Sequence, residues 1–217
     1  RRLNHLIGAT LLASLVILLL GYFLGCLNGS VMVSHFIIKD DVRQHGSGNA
    51  GLTNFYRTYG AKYALGVILF DMGKTVIACL IGGAAFDYLA GDWMLGGGLG
   101  CELGHMFPVF FGFKGGKGIL SGGTLVWLLD WRVGLIAWGL FAALWLLTRY
   151  VSLGSVCAAA SMPVTTFFFC GRSLLYTALA VLIAALVIWC HRENITRLLH
   201  HQERKFQWHT GTPKEKE

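Results

Sequence analysis

The chain has 217 residues, of which 55% are hydrophobic and 13% charged, and its mean hydropathy is +0.59. This composition provides too little polar surface for a water-soluble globule, so it excludes a soluble domain and indicates a protein embedded in a bilayer. The formal net charge of +7 is carried by separate short loops and not by one soluble segment, so we expect no nucleic-acid partner.

Seven apolar stretches follow one another along the chain. About 20 residues cross a hydrocarbon core of about 30 Å, and most of the stretches approach that length. The stretches cover residues 7–27, 61–86, 93–111, 119–129, 133–147, 151–170 and 173–190. The fourth is short and stops at Asp130, so six spans are the alternative. We predict an all-α polytopic membrane protein of about seven transmembrane helices, with a single domain over residues 1–217.

The basic residues are concentrated in alternate loops. One set of loops carries Lys39, Arg43, Arg57, Lys62, Lys114, Lys117 and Arg149 and a tail with Arg192, Arg197, Arg204 and Lys205. The intervening loops carry Asp87, Asp92, the Asp130/Arg132 pair and Arg172. Cytoplasmic loops are enriched in Lys and Arg. The pattern therefore predicts that the C-terminus is cytoplasmic and, with seven spans, that the N-terminus is outside.

Six cysteines lie in or beside the apolar runs without a CxxC pair. Neither a disulfide framework nor a zinc site is indicated by this spacing. We therefore expect no metal site and no cofactor.

The first glycine-rich loop, GSGNAGLTNFYR at residues 46–57, combines the polar side chains of Ser47, Asn49, Thr53 and Asn54 with Arg57. An arginine fork binds phosphate in a bidentate manner, which favours a substrate site. Ser and Asn also cap helices, so capping of the following helix is the alternative for those residues.

Two lysines flank a pair of glycines in the segment Lys114, Gly115, Gly116, Lys117 and Gly118. Glycines allow the backbone to turn its amide N–H groups toward an anion, and lysines add positive charge. The segment predicts a phosphate site. A basic loop that only obeys membrane topology would explain the lysines but not the glycines.

His105 lies in the sequence Gly-His-Met-Phe-Pro, where Pro108 is expected to break a membrane helix and release backbone groups to a cavity. The residue types leave a base, a phosphate ligand or a packing role open for His105. Glu102 lies three residues earlier, so a Glu/His pair on one helix face is also possible.

Two further pairs of polar residues stand in or beside apolar stretches. Asp71 and Lys74 lie inside the second stretch at a spacing that allows them to pair. Ionisable residues in membrane helices are functional candidates, and a transporter of a phosphorylated metabolite is one hypothesis they support. His191 and Asn194 follow the last stretch and share one face, toward the cytoplasmic interface, if that helix continues to Leu199. A solvated helix end is the alternative for the latter pair.

These segments together resemble the acyl-phosphate:glycerol-3-phosphate acyltransferase (PlsY) family. Residues 46–57 resemble its GSGNxGATNxxR motif and residues 71–74 its DxxKG motif. Residues 104–118 resemble GHxFPVFxxFKGGKG, residues 148–153 resemble TRYxSL, and residues 191–195 resemble HxxNI. The motifs occur in family order over nearly the whole chain.

The resemblance implies a bacterial inner-membrane enzyme that moves an acyl chain from acyl phosphate to the 1-hydroxyl of sn-glycerol 3-phosphate. It implies that Ser47, Arg57 and a lysine of 114/117 hold glycerol phosphate, with His191 and Asn194 as further site residues, and that no metal is required. The proton acceptor is left open among His191, His105 and the substrate phosphate.

Several positions depart from the family pattern. They are residues 25–30, Leu52 for alanine, Thr75 for glycine, and residues 119–121. A paralogue with another phosphorylated acceptor is therefore an alternative.

Overall fold

The computed structural model describes residues 2–86 and 94–208, which form helices and connecting loops without a strand. The α-helices are α1 (Arg2–Cys26), α2 (Gly29–Val33), α3 (Leu52–Tyr59), α4 (Ala61–Phe86), α5 (Gly100–Met106), α6 (Ile119–Leu129), α7 (Trp131–Thr148), α8 (Val151–Phe169), α9 (Leu174–Cys190) and α10 (Arg192–Leu199). π-type turns at Ser34–Ile38 follow α2, and π-type turns at Met94–Leu99 lead into α5. Short 3₁₀ turns occupy Val42–Gln44 and Val109–Phe111. The all-α prediction is confirmed.

Each of the seven predicted apolar stretches contains a helix. α1, α4, α7 and α8 are long and apolar enough to cross a membrane, and α9 with α10 forms a fifth candidate that is bent by 59°. α6 has 11 residues, as short as predicted. Asp130 follows it and caps α7, where its Oδ1 accepts a hydrogen bond from the Arg132 N–H at 2.8 Å. The number of seven spans stays a prediction, and the loop with Asp87 and Asp92 lies outside the described residues.

The helix predicted within residues 93–111 ends just before Pro108. α5 stops at Met106, and Pro108, with a φ of −70°, directly precedes the 3₁₀ turn at Val109–Phe111. The break by Pro108 is confirmed, and the carbonyls that it releases bind protein groups. His105 O accepts from the Gly116 N–H at 3.0 Å, and Phe107 O accepts from the Tyr22 hydroxyl at 2.8 Å. The Gly116 bond fixes the segment of residues 114–118 against α5, and the Tyr22 bond joins the chain after α5 to α1.

Glycines allow α1 and α5 to pack with their backbones in contact. A Cβ atom on Gly104 would lie 2.0 Å from Tyr22 O, and one on Gly100 would lie 2.4 Å from Leu18 O. A Cβ on Gly25 would lie 2.1 Å from Cys101 O. Small residues drive helix association in lipid because they permit this approach. The α1–α5 contact holds the segment that carries His105.

The basic loops converge at one end of the helix bundle, where residues of several of them line one cavity. Hydrogen bonds join the loop before α3 to the loop before α6, and the tail after α10 to the loop before α8. These bonds run from Arg43 Nη1 to Phe111 O (2.9 Å), from Asn49 Nδ2 to Gly115 O (3.4 Å) and from Phe206 N to Arg149 O (2.7 Å).

Candidate active site

A cavity of about 870 Å³ lies at the end of the bundle where the basic loops meet. Its lining is of two kinds. Polar side chains come from α3, from the loops, from α8 and from the chain after α9, and apolar side chains come from α4, α6, α7 and α8. The apolar lining includes Ile68, Met72, Ile119, Trp138, Phe141 and Met162. An enclosure of this size with convergent polar groups is typical of a small-molecule site.

Asn54 shapes the first glycine-rich loop. Its Nδ2 donates to Val42 O, His45 O and Asn49 O at 3.0–3.2 Å, and its Oδ1 accepts from the Ser47 N–H at 3.0 Å. These bonds use the NH2 group of the Asn54 side chain as donor and its carbonyl oxygen as acceptor. Gly46 has a φ of +60°, and a Cβ there would lie 2.3 Å from Asn54 Oδ1, so glycine is required. Asn54, predicted to bind substrate, lines the cavity while it organises this loop.

The other predicted residues of this loop also reach the cavity. Ser47, Asn49, Thr53 and Arg57 line it. Neither Ser47 nor Asn49 caps α3, because its N-cap residue is Gly51. Arg57 donates from Nη2 to Arg204 O at 3.2 Å. Burial lowers the pKa of Arg57, but a guanidinium remains charged at physiological pH.

The two lysines of the segment of residues 114–118 have different environments. Lys117 lines the cavity, and its Nζ donates to Asn194 Oδ1. Lys114 is exposed and is not part of the lining. Gly118 lines the cavity with a φ of +78°. The structure therefore brings one of the two lysines to the predicted site.

Gly115 and Gly116 are explained by close packing and not by an open amide cradle. A Cβ on Gly115 would lie 2.1 Å from His105 O, and one on Gly116 would lie 2.2 Å from His105 Nε2. The Gly116 N–H is already bonded to His105 O. That amide is therefore not free for an anion, in contrast to the expectation from the sequence.

His105 belongs to a buried cluster with Asp71 and Lys74. Lys74 Nζ lies 2.8 Å from Asp71 Oδ1 and 3.0 Å from His105 Nδ1, which confirms the predicted Asp71–Lys74 pair. An ammonium group only donates hydrogen bonds, so Nδ1 of His105 is the acceptor and the proton of the neutral ring lies on Nε2. His105 lines the cavity as a donor. The Glu102–His105 pair is not formed, since both Glu102 carboxyl oxygens are without a hydrogen-bond partner among the described residues.

His191 and Asn194 lie at the bend between α9 and α10. The helix does not continue straight to Leu199, because the chain turns by 59° after Cys190. Both side chains are buried and line the cavity, so the alternative of a solvated helix end does not hold for them. His191 Nδ1 lies 2.8 Å from Val187 O. A carbonyl only accepts, so Nδ1 carries the proton and Nε2 keeps its lone pair.

Several polar residues of the cavity were not predicted as site residues. They include Ser152, Ser155, Arg197 and Glu203. Arg197 had a weak signal, since it follows Asn194 by three residues on α10 and so shares its face. Ser152 had a signal as the serine of the TRYxSL resemblance at residues 148–153. Ser155 is a small polar residue in an apolar helix, and Glu203 lies in an irregular tail. Sequence patterns do not separate these last two residues from ordinary packing or surface positions.

The described residues contain no evident set of metal ligands. Within residues 2–86 and 94–208, no group of three or more His, Cys, Asp and Glu side chains is arranged to hold a metal ion. The six cysteines are free.

The bundle and its cavity define a helical membrane protein whose cavity combines cationic side chains with an apolar lining. The chain belongs to the glycerol-3-phosphate acyltransferase family, whose model matches residues 15–201. It is 42% identical over 190 residues to the glycerol-3-phosphate acyltransferase of Synechococcus sp. (strain CC9902), covering 87% of this chain and 93% of that protein. It is 37% identical over 185 residues to that of Finegoldia magna, covering 85% and 91%.

Two solved structures have a similar fold. One is the glycerol 3-phosphate form of PlsY, an integral membrane glycerol 3-phosphate acyltransferase. It is 37% identical to this chain, with a TM-score of 0.79 and coverage of 89% of this chain and 96% of that one. The other is the lysophosphatidic acid form of PlsY, with 36% identity, a TM-score of 0.77 and coverage of 89% and 95%. The resemblance found in the sequence motifs is thus confirmed.

Proposed function

We propose that this protein transfers an acyl chain from an acyl phosphate to the 1-hydroxyl of sn-glycerol 3-phosphate, giving lysophosphatidic acid and inorganic phosphate. The observation that carries the proposal is one cavity in which Arg57 and Lys117 meet an apolar wall. The cations suit the phosphate groups of both substrates, and the apolar wall suits the acyl chain. The names and bound forms of the similar proteins support the acceptor and the product.

Arg57 and Lys117 bind the phosphate of the acceptor in this proposal, with Ser47, Asn49 and Thr53 at the rim. Charge-assisted hydrogen bonds from a guanidinium and an ammonium to phosphate are among the strongest polar contacts in proteins. Fixing the phosphate places the 1-hydroxyl against the donor carbonyl and lowers the entropic part of the barrier. The same cations stabilise the negative charge on the leaving phosphate.

His191 is the proton acceptor in the proposed reaction. The hydroxyl oxygen of glycerol 3-phosphate attacks the carbonyl carbon of the mixed anhydride, and a C–O ester bond forms. The bond between that carbon and the phosphate oxygen breaks, and phosphate leaves with the electron pair. The hydroxyl proton moves to Nε2 of His191, the ring nitrogen that its Val187 contact leaves unprotonated. His105 does not suit this role, because the same argument puts a proton on its Nε2.

His191→Gln is expected to lower kcat about 100-fold and to flatten the acidic limb of the pH profile. A base must be neutral to accept a proton, so the wild-type rate falls as pH drops through its pKa. This loss of rate is at the low end of the range for general bases, because phosphate is a good leaving group. His105→Gln is the comparison and is expected to keep the acidic limb. An acidic limb that survives in His191→Gln and disappears in His105→Gln would reverse the assignment.

The two lysines are expected to respond differently to alanine substitution. Lys117→Ala should raise KM for sn-glycerol 3-phosphate about 10- to 100-fold, the usual effect of losing a hydrogen bond to a charged group. Lys114→Ala should leave KM within about twofold, because its side chain is outside the cavity. Steady-state kinetics at saturating palmitoyl phosphate would measure both. Equal effects of the two substitutions would contradict this placement of the site.

The pH dependence of acceptor binding follows from the burial of Lys117. Burial, with a contribution from nearby Arg197, lowers the pKa of Lys117. Its charge is therefore lost at a lower pH than that of a free lysine, and KM for sn-glycerol 3-phosphate should rise on the alkaline side.

We further propose that the protein lies in a bacterial inner membrane with its N-terminus outside and its C-terminus in the cytoplasm. The convergence of the basic loops at the cavity supports this orientation, because both phosphorylated substrates are then met on the cytoplasmic side. The acyl chain of the donor and the surrounding membrane lipids contact the apolar faces of the helices.

The transporter hypothesis was motivated by Asp71 and Lys74. Both are buried, and they pair with each other and with groups of α1, α2 and α5. A structural role accounts for them, so we favour the acyltransferase. A paralogue that uses another phosphorylated acceptor would be distinguished from this acyltransferase by assays of phosphate release with different acceptors.

The test is release of inorganic phosphate from palmitoyl phosphate by the purified full chain, with and without sn-glycerol 3-phosphate. The proposal expects release that depends on the acceptor, together with formation of 1-palmitoylglycerol 3-phosphate. Release that requires a different phosphorylated acceptor would indicate the paralogue. The absence of release, with uptake of labelled sn-glycerol 3-phosphate into proteoliposomes, would indicate the transporter.

A further inference from the structure

The tail after α10 folds back across the polar end of the cavity. The Phe206 N–H donates to Arg149 O at 2.7 Å, and the Phe206 ring stacks on Tyr56 with 5.3 Å between ring centroids. Trp145 contacts the same ring edge-on at 5.4 Å. These contacts tie the tail to α3, to α7 and to the start of α8, so the position of Glu203 is fixed by the fold.

The Glu203 side chain makes three hydrogen bonds in the cavity, although it belongs to an irregular segment. Its Oε1 accepts from Ser152 Oγ at 2.8 Å and from Asn194 Nδ2 at 2.7 Å, and its Oε2 accepts from Arg197 Nε at 2.8 Å. The side chain is 7% exposed. Burial alone would raise the pKa of Glu203, but the bonds from Arg197, Asn194 and Ser152 hold it below its ordinary value. The carboxyl is therefore an ionised acceptor.

An ionised carboxylate determines the orientation of the Asn194 amide. A carboxylate only accepts, so Nδ2 of Asn194 must face Glu203. Its Oδ1 then faces the opposite direction, where the ammonium of Lys117, which only donates, is bound to it. Both hydrogen bonds therefore require the same orientation of the Asn194 amide. Glu203 fixes Asn194, and Asn194 fixes the lysine proposed to bind phosphate.

We propose that Glu203 is a positioning residue for the acceptor phosphate site, acting through Asn194 on Lys117 and directly on Arg197. This inference rests on the proposed function. Glu203 carries a negative charge beside an anion site, so direct contact with phosphate would be repulsive. Its contribution is to hold the cationic and amide groups in one geometry before the substrate arrives, which lowers the cost of ordering them on binding.

Glu203→Gln tests this role with little change of shape. The glutamine carbonyl can still accept from Asn194 or Ser152, but its NH2 group cannot accept from Arg197. We expect kcat/KM for sn-glycerol 3-phosphate to fall about 10- to 100-fold, mainly through KM. Glu203→Asp keeps the charge on a shorter side chain and should recover part of the loss. The Kd of sn-glycerol 3-phosphate, measured by calorimetry, should rise by a similar factor.

Glu193→Gln is the matched control. Glu193 is also an acid beside Arg197, with 3.9 Å between Oε2 and Arg197 Nη1, but its side chain is 74% exposed. Its replacement should change neither KM nor Kd by more than about twofold, because exposed ion pairs contribute little.

Several results would overturn the role of Glu203. A Glu203→Gln variant with the wild-type KM and Kd would do so, as would one that loses only kcat while its thermal unfolding temperature falls. A lower Kd would show that Glu203 competes with phosphate. If Glu203→Gln does not fold, Ser152→Ala removes one of the hydrogen bonds that hold Glu203 and should raise the Kd in the same direction. Failure of the proposed function would instead appear as a wild type without turnover, and the ratio of Kd values reports on Glu203 independently of turnover.

Discussion

Arg57→Ala is expected to lower kcat/KM for sn-glycerol 3-phosphate about 30- to 5000-fold. Arg57 lines the cavity from α3 and is partly buried, so its guanidinium meets the phosphate where water is restricted. Removing one partner of such a charge pair costs about 2–5 kcal/mol, and each tenfold change corresponds to about 1.4 kcal/mol. Arg57→Lys should recover only part of the activity, because an ammonium cannot form the two parallel bonds of a guanidinium. Phosphate release from palmitoyl phosphate over a range of acceptor concentrations measures the effect.

Arg192→Ala is the control for Arg57→Ala. Arg192 is a second arginine at the same end of the bundle, but it is exposed and lies over the Trp189 ring at 4.2 Å, outside the cavity. Its removal changes the net charge by the same amount and should leave kcat/KM within about twofold. If both substitutions had the same effect, the role of Arg57 would be a general electrostatic one and not a specific phosphate contact.

The helices were predictable because their physical signal is strong. Long apolar runs must form helices in lipid, where each backbone polar group needs an internal partner. The end of α5 was predictable from Pro108, and the end of α6 from Asp130. The bend after Cys190 was not, because residues 191–199 have an ordinary helical pattern. The bend is nevertheless what brings His191 and Asn194 into the cavity.

The candidate site was predictable in its residue types and less so in their individual roles. Lys114 and Lys117 are equivalent in the sequence, and only the path of the loop separates them. Gly115 and Gly116 suggested an open backbone, whereas the structure shows that His105 packs against them. A glycine in a sequence shows that a side chain is absent, but it does not show which neighbouring group occupies the space. Glu203 follows Asn194 by nine residues in the sequence and bonds to it in the structure. The tail that brings them together has no local sequence pattern that predicts its path.

Lys74→Met is expected to lower the free energy of unfolding by about 3–5 kcal/mol, the usual cost of leaving one member of a buried ion pair without its partner. The Asp71 carboxylate would keep the Gly29 N–H at 2.9 Å but lose the ammonium at 2.8 Å. The Gly25 and Leu27 carbonyls would each lose a donor at 3.1 Å. Denaturant unfolding of the protein in detergent micelles would measure the change. Methionine matches the length of lysine and is apolar, so the cavity left behind is small.

The double variant Asp71→Asn/Lys74→Met separates the loss of the charge pair from the loss of packing. Asparagine keeps an oxygen that can accept from the Gly29 N–H, and no charge is then left buried. The double variant should therefore be more stable than Lys74→Met alone, although the two carbonyls that Lys74 served remain without their donor. A single variant within about 1 kcal/mol of the wild type, or a double variant no more stable than the single one, would contradict a structural ion pair. In that case Asp71 and Lys74 would regain interest as functional intramembrane charges.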